Sequence, residues 1–443
     1  MNQLDLLHNR HFLPLFLTQF LGAFNDNVYK NALVIFIAFT QAGRSGDNAS
    51  VLVILAGGVF ILPFFLFSAV AGQVADRYEK ALLIRWIKSA EILIMGIALG
   101  GFLLQDIVVL MITLFLMGAQ STFFGPLKYG ILPQHLAETE LVGGNGLIQM
   151  GTYLAILGGT ILGGVLVAIG ERGPAVTGIV VILVACLGRL SSSYIPPAAA
   201  SDPTLRLDWN PARQTMIVMQ LAARPLLQLV TILAISWFWL VGATFLSLIP
   251  TYVRDVLHGD EYVATLLLTA FSVGIGSGSV LCERFSRGHI EPGLVLFGAA
   301  GISLLATDMY FLDPAVSAVI TGAVAFLSRW DTWHVLIDLA LIGFFGGIYI
   351  VPLYAMLQHR SDPHQRARVI AANNICNALF MVVSAIIVIA LVKAGYTPQQ
   401  IFLCTAVATV ATLAAIARVM PELPRRTRVL LLELLPGDAR AGG

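Results

Sequence analysis

Charge is scarce in this chain. Asp, Glu, Lys and Arg together make up only 12% of its 443 residues, roughly half the share in an average soluble domain. So few charges cannot cover the surface of a water-soluble protein of this length. The net charge of +1 offers no field to steer an acidic partner, which argues against nucleic acid as a ligand. Cysteine is nearly absent: Cys186, Cys282, Cys376 and Cys404 are scattered, with no pair at disulfide-framework, metal or redox spacing. The eight histidines form no ligand cluster either. His8/His11 and His359/His364 sit beside the ends of apolar runs, so neither a metal centre nor another cofactor is expected. No nucleophile motif and no paired carboxylates with a base appear, so the chain is not expected to be an enzyme. A cleavable secretory signal is also missing. The first apolar stretch runs from near Phe12 to about Thr40, with no small-residue cleavage site.

What fills the chain instead is apolar: 58% of residues are hydrophobic. The runs repeatedly reach the ~20 residues a helix needs to cross a bilayer. Polar or Pro/Gly punctuation divides them into twelve candidate spans, 12–40, 51–74, 82–104, 106–125, 143–169 and 174–191, then 226–250, 262–283, 293–312, 334–358, 368–394 and 398–420. The longest polar stretch, 192–222, holds Pro196-Pro197, Asp202-Pro203 and Asn210-Pro211. It reads as a linker between an N-terminal half, 1–191, and a C-terminal half, 223–420, followed by a basic tail, 421–443. Residues 313–333 read as a re-entrant or surface segment, with a thirteenth crossing left open.

Positive charge orients the spans. If both termini are cytoplasmic, twenty Lys/Arg residues fall on the inside, from Arg10 and Lys88 to Arg368 and Arg440, and five on the outside: Arg44, Arg172, Arg254, Arg329 and Lys393. The halves also repeat each other weakly. Gly22-Ala23-Phe24 returns as Gly242-Ala243-Thr244-Phe245, Pro126-Leu127 as Pro352-Leu353, and Asn145-Gly146 as Asn373-Asn374. The shared order suggests a duplicated six-helix unit, the plan in which substrate lies between two rocking halves.

Three places concentrate polar chemistry. The loop after the second span reads Gly72-Gln73-Val74-Ala75-Asp76-Arg77. Its glycine allows close helix approach, and its carboxylate can meet the N–H groups of a neighbouring helix N-terminus. It resembles the G-x-x-x-D-R loop of the major facilitator superfamily. That resemblance implies an all-α polytopic fold of twelve transmembrane helices in two six-helix halves, with Gly72, Asp76 and Arg77 gating it. Glu283 and Arg284, at the end of the eighth span, match this loop and read as a second part of the gate. The first span holds Asn25-Asp26-Asn27-Val28-Tyr29-Lys30-Asn31, six polar residues of seven, where a charge costs about 2.5–3.5 kcal/mol on insertion scales. Asp26 and Lys30 are four apart, so they read either as a self-neutralising helical pair or as a site for a charged head group. After the fourth span comes Phe123-Phe124-Gly125-Pro126-Leu127-Lys128-Tyr129-Gly130-Ile131-Leu132-Pro133, whose Lys128 either holds a phosphate or snorkels to the interface. Glu91 and Asp338 are further intramembrane carboxylates. Each fits a proton-coupled role; Glu91 equally fits an inter-helix hydrogen bond, and Asp338 an interfacial position. Trp237-Phe238-Trp239 reads as core packing or lipid-facing.

Taken together, Gln19-Phe20 through Ala23-Phe24 to Asp26-Asn27 and Pro126-Leu127-Lys128-Tyr129-Gly130-Ile131-Leu132 are similar to the bacterial lysophospholipid transporter family. That branch of the superfamily carries QF-x-x-AF-x-DN in span one and P-x-KYGIL after span four. The likeness extends over about residues 12–420. It implies movement of lysophosphatidylethanolamine-like lipids from the outer to the inner leaflet of a bacterial inner membrane, for reacylation by a cytoplasmic-side acyltransferase, in a surround of membrane lipids. Asn25, Asp26, Asn27, Tyr29, Lys30, Glu91, Lys128 and Tyr129 then become the candidate substrate site. Relatives of this kind can carry an arginine in span seven facing the span-one aspartate; Phe238 to Ser247 has none, so Lys30 is the substitute counter-charge. Two other readings stand beside this one: an exporter of amphipathic small molecules or drugs, and a non-transporting scaffold for an acyltransferase.

Overall fold

Inside a bilayer every backbone N–H and C=O must be satisfied within its own segment, which leaves helices as the form open to such long apolar runs. The computed structural model describes residues 3–41, 46–312 and 322–434, and its long elements are all helices. In chain order they are α1 (Leu13–Gln41), α2 (Gly46–Arg77), α3 (Lys80–Leu104), α4 (Ile107–His135), α5 (Leu141–Val167), α6 (Gly173–Ser192), α7 (Pro211–Ala223), α8 (Leu226–Asp255), α9 (Glu261–Ser286), α10 (Gly293–Phe311), α11 (Ala323–Leu327), α12 (Trp333–Arg360), α13 (Arg366–Lys393), α14 (Pro398–Val419) and α15 (Glu422–Leu434). Among the described residues, eleven helices are long and apolar enough to cross a membrane. The remaining long helix, α1, spans 29 residues despite its polar run and completes the expected twelve.

Ends are set by caps. Glu79 accepts from the Ala81 and Leu82 N–H groups to start α3, Asp106 does the same for α4, and Thr397 with Gln400 forms a capping box on α14. One boundary departs from expectation by more than five residues. α4 does not stop at residue 125 but continues to His135 through Pro126 and Pro133. Lys128 and Tyr129 therefore stand on a helix, not in a loop after it. Sequence punctuation misplaced this end because neighbouring groups in a membrane protein tolerate a helical proline. The linker, too, contains a helix, α7, capped by Asn210 with Pro211 in its first turn. Of the segment expected over 313–333, residues 313–321 lie outside the described residues; from Gly322 onward it forms α11 and a single turn at Trp330–Thr332. Arg44 and Arg440 also lie outside them.

The chain forms two compact units whose borders do not follow the two halves. The first comprises Met1–Glu138, Gly151–Arg224 and Gln358–Ala378. In it α2 packs on α4, α3 on α4 and α6, and α1 on α6, around Val28, Leu33, Phe36, Met95, Phe102 and Leu114. The second comprises Thr139–Met150, Pro225–Leu357 and Leu379–Gly443. There α10 packs on α14 and α15, and α8 on α9 and α14, with Phe245 stacked on Phe402 at 4.8 Å. The Trp237-Phe238-Trp239 run belongs to this unit's packing: Trp237 Nε1 donates to Thr409 Oγ1 (3.2 Å) and Trp239 Nε1 to Tyr354 Oη (3.3 Å).

The second unit holds one seam at closest approach. Gly274 and Gly278 of α9 lie against the backbone oxygens of Ala340 and Phe344, while Gly343 and Gly347 of α12 lie against those of Phe271 and Ile275. Each helix thus offers a small residue every fourth position, the pattern that lets membrane helices touch backbone to backbone. Replacing Gly278 with Val should overpack the seam by about 1–3 kcal/mol and lower the unfolding temperature in detergent. Gly96→Ala, where an added methyl meets nothing within 4 Å, should leave the unfolding temperature unchanged.

Candidate functional site

Apart from the charges around Asp76, two groups of charges lie within the helices of the first unit. The first is fully satisfied. Lys88 and Glu91, one turn apart on α3, pair at 2.6 Å with only 1% and 2% of their side chains exposed. Glu91 also accepts from Asn25 Nδ2 of α1 and from Gln120 Nε2 of α4, both at 2.9 Å. The Lys88 ammonium lies over the Phe124 ring at 4.9 Å and fills the place where Gly22 of α1 has no side chain. One carboxylate thus ties three helices together. Glu91 makes inter-helix hydrogen bonds in this structure, with Asn25 as one of its partners. The pairing also corrects the reading of Lys88, which is not a cytoplasmic loop charge but a buried one.

The second group is not mutually satisfied. Asp26, half-buried, accepts a hydrogen bond from Ser121 Oγ (2.6 Å), and Ser121 in turn reaches Gln120 Oε1 (3.2 Å). The expected Asp26–Lys30 ion pair does not form. Lys30 instead places its ammonium over the Phe60 ring, 4.4 Å from its centroid. Lys128, half-buried, stands seven residues beyond Ser121, two turns down the same face of α4, with its ammonium over the Tyr129 ring at 4.5 Å. Among the described residues, one anion and two cations thus lack ionic mates in a largely apolar setting.

Other expected site residues fall elsewhere. Tyr29 is fully buried, donates to the Leu110 carbonyl (2.7 Å) and packs edge-on to Phe102; it meets α4 as Asp26 does, but through a backbone carbonyl inside the core of the unit. Asn27 Nδ2 donates back to the Ala23 carbonyl of its own helix (2.7 Å). Tyr129 is buried, with the Lys128 ammonium over its ring. Lys88, Gln120 and Ser121 were missed by sequence reading. Lys88 and Glu91 at i,i+3 within an apolar helix are the signal that could have found the pair. Gln120 and Ser121 have no local signal.

The gate residues meet in the same unit. Asp76, completely buried, accepts from the Ala367 N–H (3.1 Å), the Arg368 N–H (3.3 Å) and Arg368 Nε (3.0 Å). These are the second and third residues of α13, so the carboxylate sits on a helix N-terminus, where the dipole and open N–H groups favour it. Gly72 permits the approach: a Cβ there would lie 2.8 Å from that of Ala371 and 2.9 Å from the Arg368 Cα. Arg77 takes no part and lies over Tyr78 at 5.5 Å. Glu283 and Arg284 end α9 in the other unit, Arg284 exposed. The linker straps the loop. Asp202 N donates to the Asp76 carbonyl (2.8 Å), Ala198 N to Glu79 Oε1 (2.7 Å), Lys80 Nζ to Ser201 Oγ (2.9 Å), and Gln73 exchanges two bonds of 3.2 Å with Asp208. His364 Nδ1 reaches the Ser201 carbonyl at 2.7 Å.

Comparison with known proteins adds the following. A family model described as Major Facilitator Superfamily matches residues 15–328. The chain is 26% identical over 366 residues to the Lysophospholipid transporter LplT of Serratia proteamaculans (strain 568), covering 80% of this chain and 81% of that one. It is 28% identical over 352 residues to the protein of the same name from Escherichia coli O1:K1 / APEC, covering 77% and 78%. Among solved structures, the human organic anion transporter MFSD10 superposes with a TM-score of 0.71 at 12% identity, covering 92% of this chain and 99% of that one. The fucose:proton symporter FucP of Escherichia coli does so with 0.66 at 15% identity, covering 92% and 98%.

Two predictions follow from this geometry. Lys88→Met alone leaves Glu91 buried without its cation and should cost about 3–5 kcal/mol. Adding Glu91→Gln, which keeps acceptance from Asn25, should recover most of that loss in a thermal-unfolding double-mutant cycle. Asp76→Asn removes the charge from the α13 N-terminus. A cysteine placed at Ala371 in that background should be labelled by a thiol reagent several-fold faster than in the parent; equal labelling would show that Asp76 does not hold the two segments together.

Proposed function

The chain belongs to the Major Facilitator Superfamily, and from that premise we propose that it is a lysophospholipid transporter working by alternating access. The observation that carries this reading is the contrast between the two charge groups. Lys88 and Glu91 neutralise each other out of reach of any ligand. Asp26, Lys30 and Lys128 remain half-buried, held by a hydroxyl or a ring face alone. A lone charge inside a membrane protein points to a ligand. A lysophosphatidylethanolamine head group carries the complementary pair, an ammonium for Asp26 and a phosphate for Lys30 or Lys128. The half-buried ladder Phe16, Phe20 and Phe24, stacked at 6.1–6.3 Å along the same helix, supplies apolar surface for a single acyl chain. The name carried by the relatives, Lysophospholipid transporter, supports the same substrate class.

On this proposal the protein works in a bacterial inner membrane with both termini cytoplasmic. It carries lipid from the outer to the inner leaflet, where an acyltransferase restores the second chain. The Asp76–α13 brace stabilises one of the alternating states, and Lys30 takes the place of a span-seven arginine.

Reconstituted protein should render labelled lysophosphatidylethanolamine resistant to extraction from the outer leaflet of proteoliposomes. Asp26→Asn removes one charge-assisted contact worth about 1.5–3 kcal/mol and should slow that protection by about ten- to a hundredfold. Absence of flux in the parent protein overturns the function; unchanged flux in the variant overturns the site.

A further inference from the structure

A second polar cluster lies in the other unit, apart from the proposed lipid site. The contacts of Gly298 with Tyr349 and of Gly301 with Phe345 show α10 and α12 packed antiparallel at close range: three residues forward on one match four residues back on the other. Continuing along that seam, seven residues past Gly301 comes Asp308, and seven before Phe345 comes Asp338. Both are two turns, about 10.5 Å, from the same crossing, so the register brings the two carboxylates together. His334 lies one further turn back on the Asp338 face.

We propose that Asp308, His334 and Asp338 form a binding site for one divalent cation of the zinc type. One ligand atom from each residue falls within 4.8 Å of the others. His334 Nε2 stands 2.8 Å from Asp308 Oδ2 and 3.8 Å from Asp338 Oδ2, bracketing the separation of about 3.3 Å between donors at zinc bond lengths in a tetrahedron. Asp338 is the second, independent observation. It is 3% exposed, and its Oδ2, directed at the histidine, has no hydrogen-bond partner. A buried carboxylate oxygen without a donor is costly. The His334–Asp308 contact at 2.8 Å leaves the Asp338 oxygen 3.8 Å from the same nitrogen, beyond hydrogen-bond reach; a cation shared by all three residues would satisfy each of them. The charges also balance, two carboxylates and a neutral imidazole against a doubly charged ion.

The donor set selects the metal class. One imidazole nitrogen with two carboxylates suits zinc and its transition-series neighbours, whereas magnesium and calcium prefer all-oxygen shells. The His334 side chain is 54% exposed, so the ion enters from solvent and keeps water on its open face, as three-ligand zinc sites do. Bound there, the ion clamps the end of α10 to the beginning of α12. Sequence reading expected no histidine cluster, because Asp308 lies 26 residues from His334 and only the α10–α12 packing unites them.

The test uses the full-length protein in detergent, stripped with a chelator and titrated calorimetrically with Zn2+ alone. One equivalent should bind and raise the unfolding temperature, while Mg2+ at the same concentration should do neither. His334→Ala, at an exposed side chain that leaves the packing intact, and Asp308→Asn should each weaken binding by at least about tenfold, the lower end of what even outer-shell losses cost; Asp338→Asn should do the same. No bound equivalent in the parent protein overturns the proposal, and so does binding that survives all three substitutions.

Discussion

A hydrocarbon interior offers a charge no water, so every ionised group placed there must find its compensation in the protein or the ligand. The Lys88–Glu91 pair meets that demand inside the first unit, almost without exposed surface. Glu91 draws α1 in through Asn25 and α4 in through Gln120, and Gly22 leaves the space in which the lysine lies. Because this carboxylate absorbs the donors around it, Asp26 is left with a serine hydroxyl and Lys30 with the face of a phenylalanine. The structural pair and the exposed remainder are two results of one constraint.

The same logic governs the Asp76 brace. A carboxylate with no exposed surface is held there by two backbone N–H groups and one guanidinium. All come from the first turn of α13, whose dipole points its positive end at them. Such a contact is strong while aligned and is lost as a unit when the helix moves away, which suits a part that has to release.

Much of this was legible in the sequence, for reasons that differ by residue. The spans were, because bilayer thickness sets their length and polar punctuation their ends. The meeting of Asp76 with a helix N-terminus was, because a carboxylate in a glycine-bearing turn has few ways to be buried. The partner was not: Arg368 is one of many basic residues at span ends, and only the fold selects it over Arg77. Asp26 and Lys30 stood out as charges within a span, but the ion pair their spacing allowed is replaced by the Phe60 ring. Lys88 was misread because its position near the start of a span made it look like an interfacial charge, and a count of charges per loop carries no depth. The end of α4 was misplaced because proline stops helices in water more reliably than in a membrane.

The linker carries a consequence of its own. Between Ala198 and Asp208 it is stitched to the turn that follows α2 and, through His364, to the approach to α13. It is therefore a measured length of chain and not slack rope. On the proposed alternating-access cycle, any parting of this turn from α13 would have to break the stitches on one side of the strap. Lengthening the linker by a few residues would leave the sequence of every membrane helix untouched and still loosen that tie.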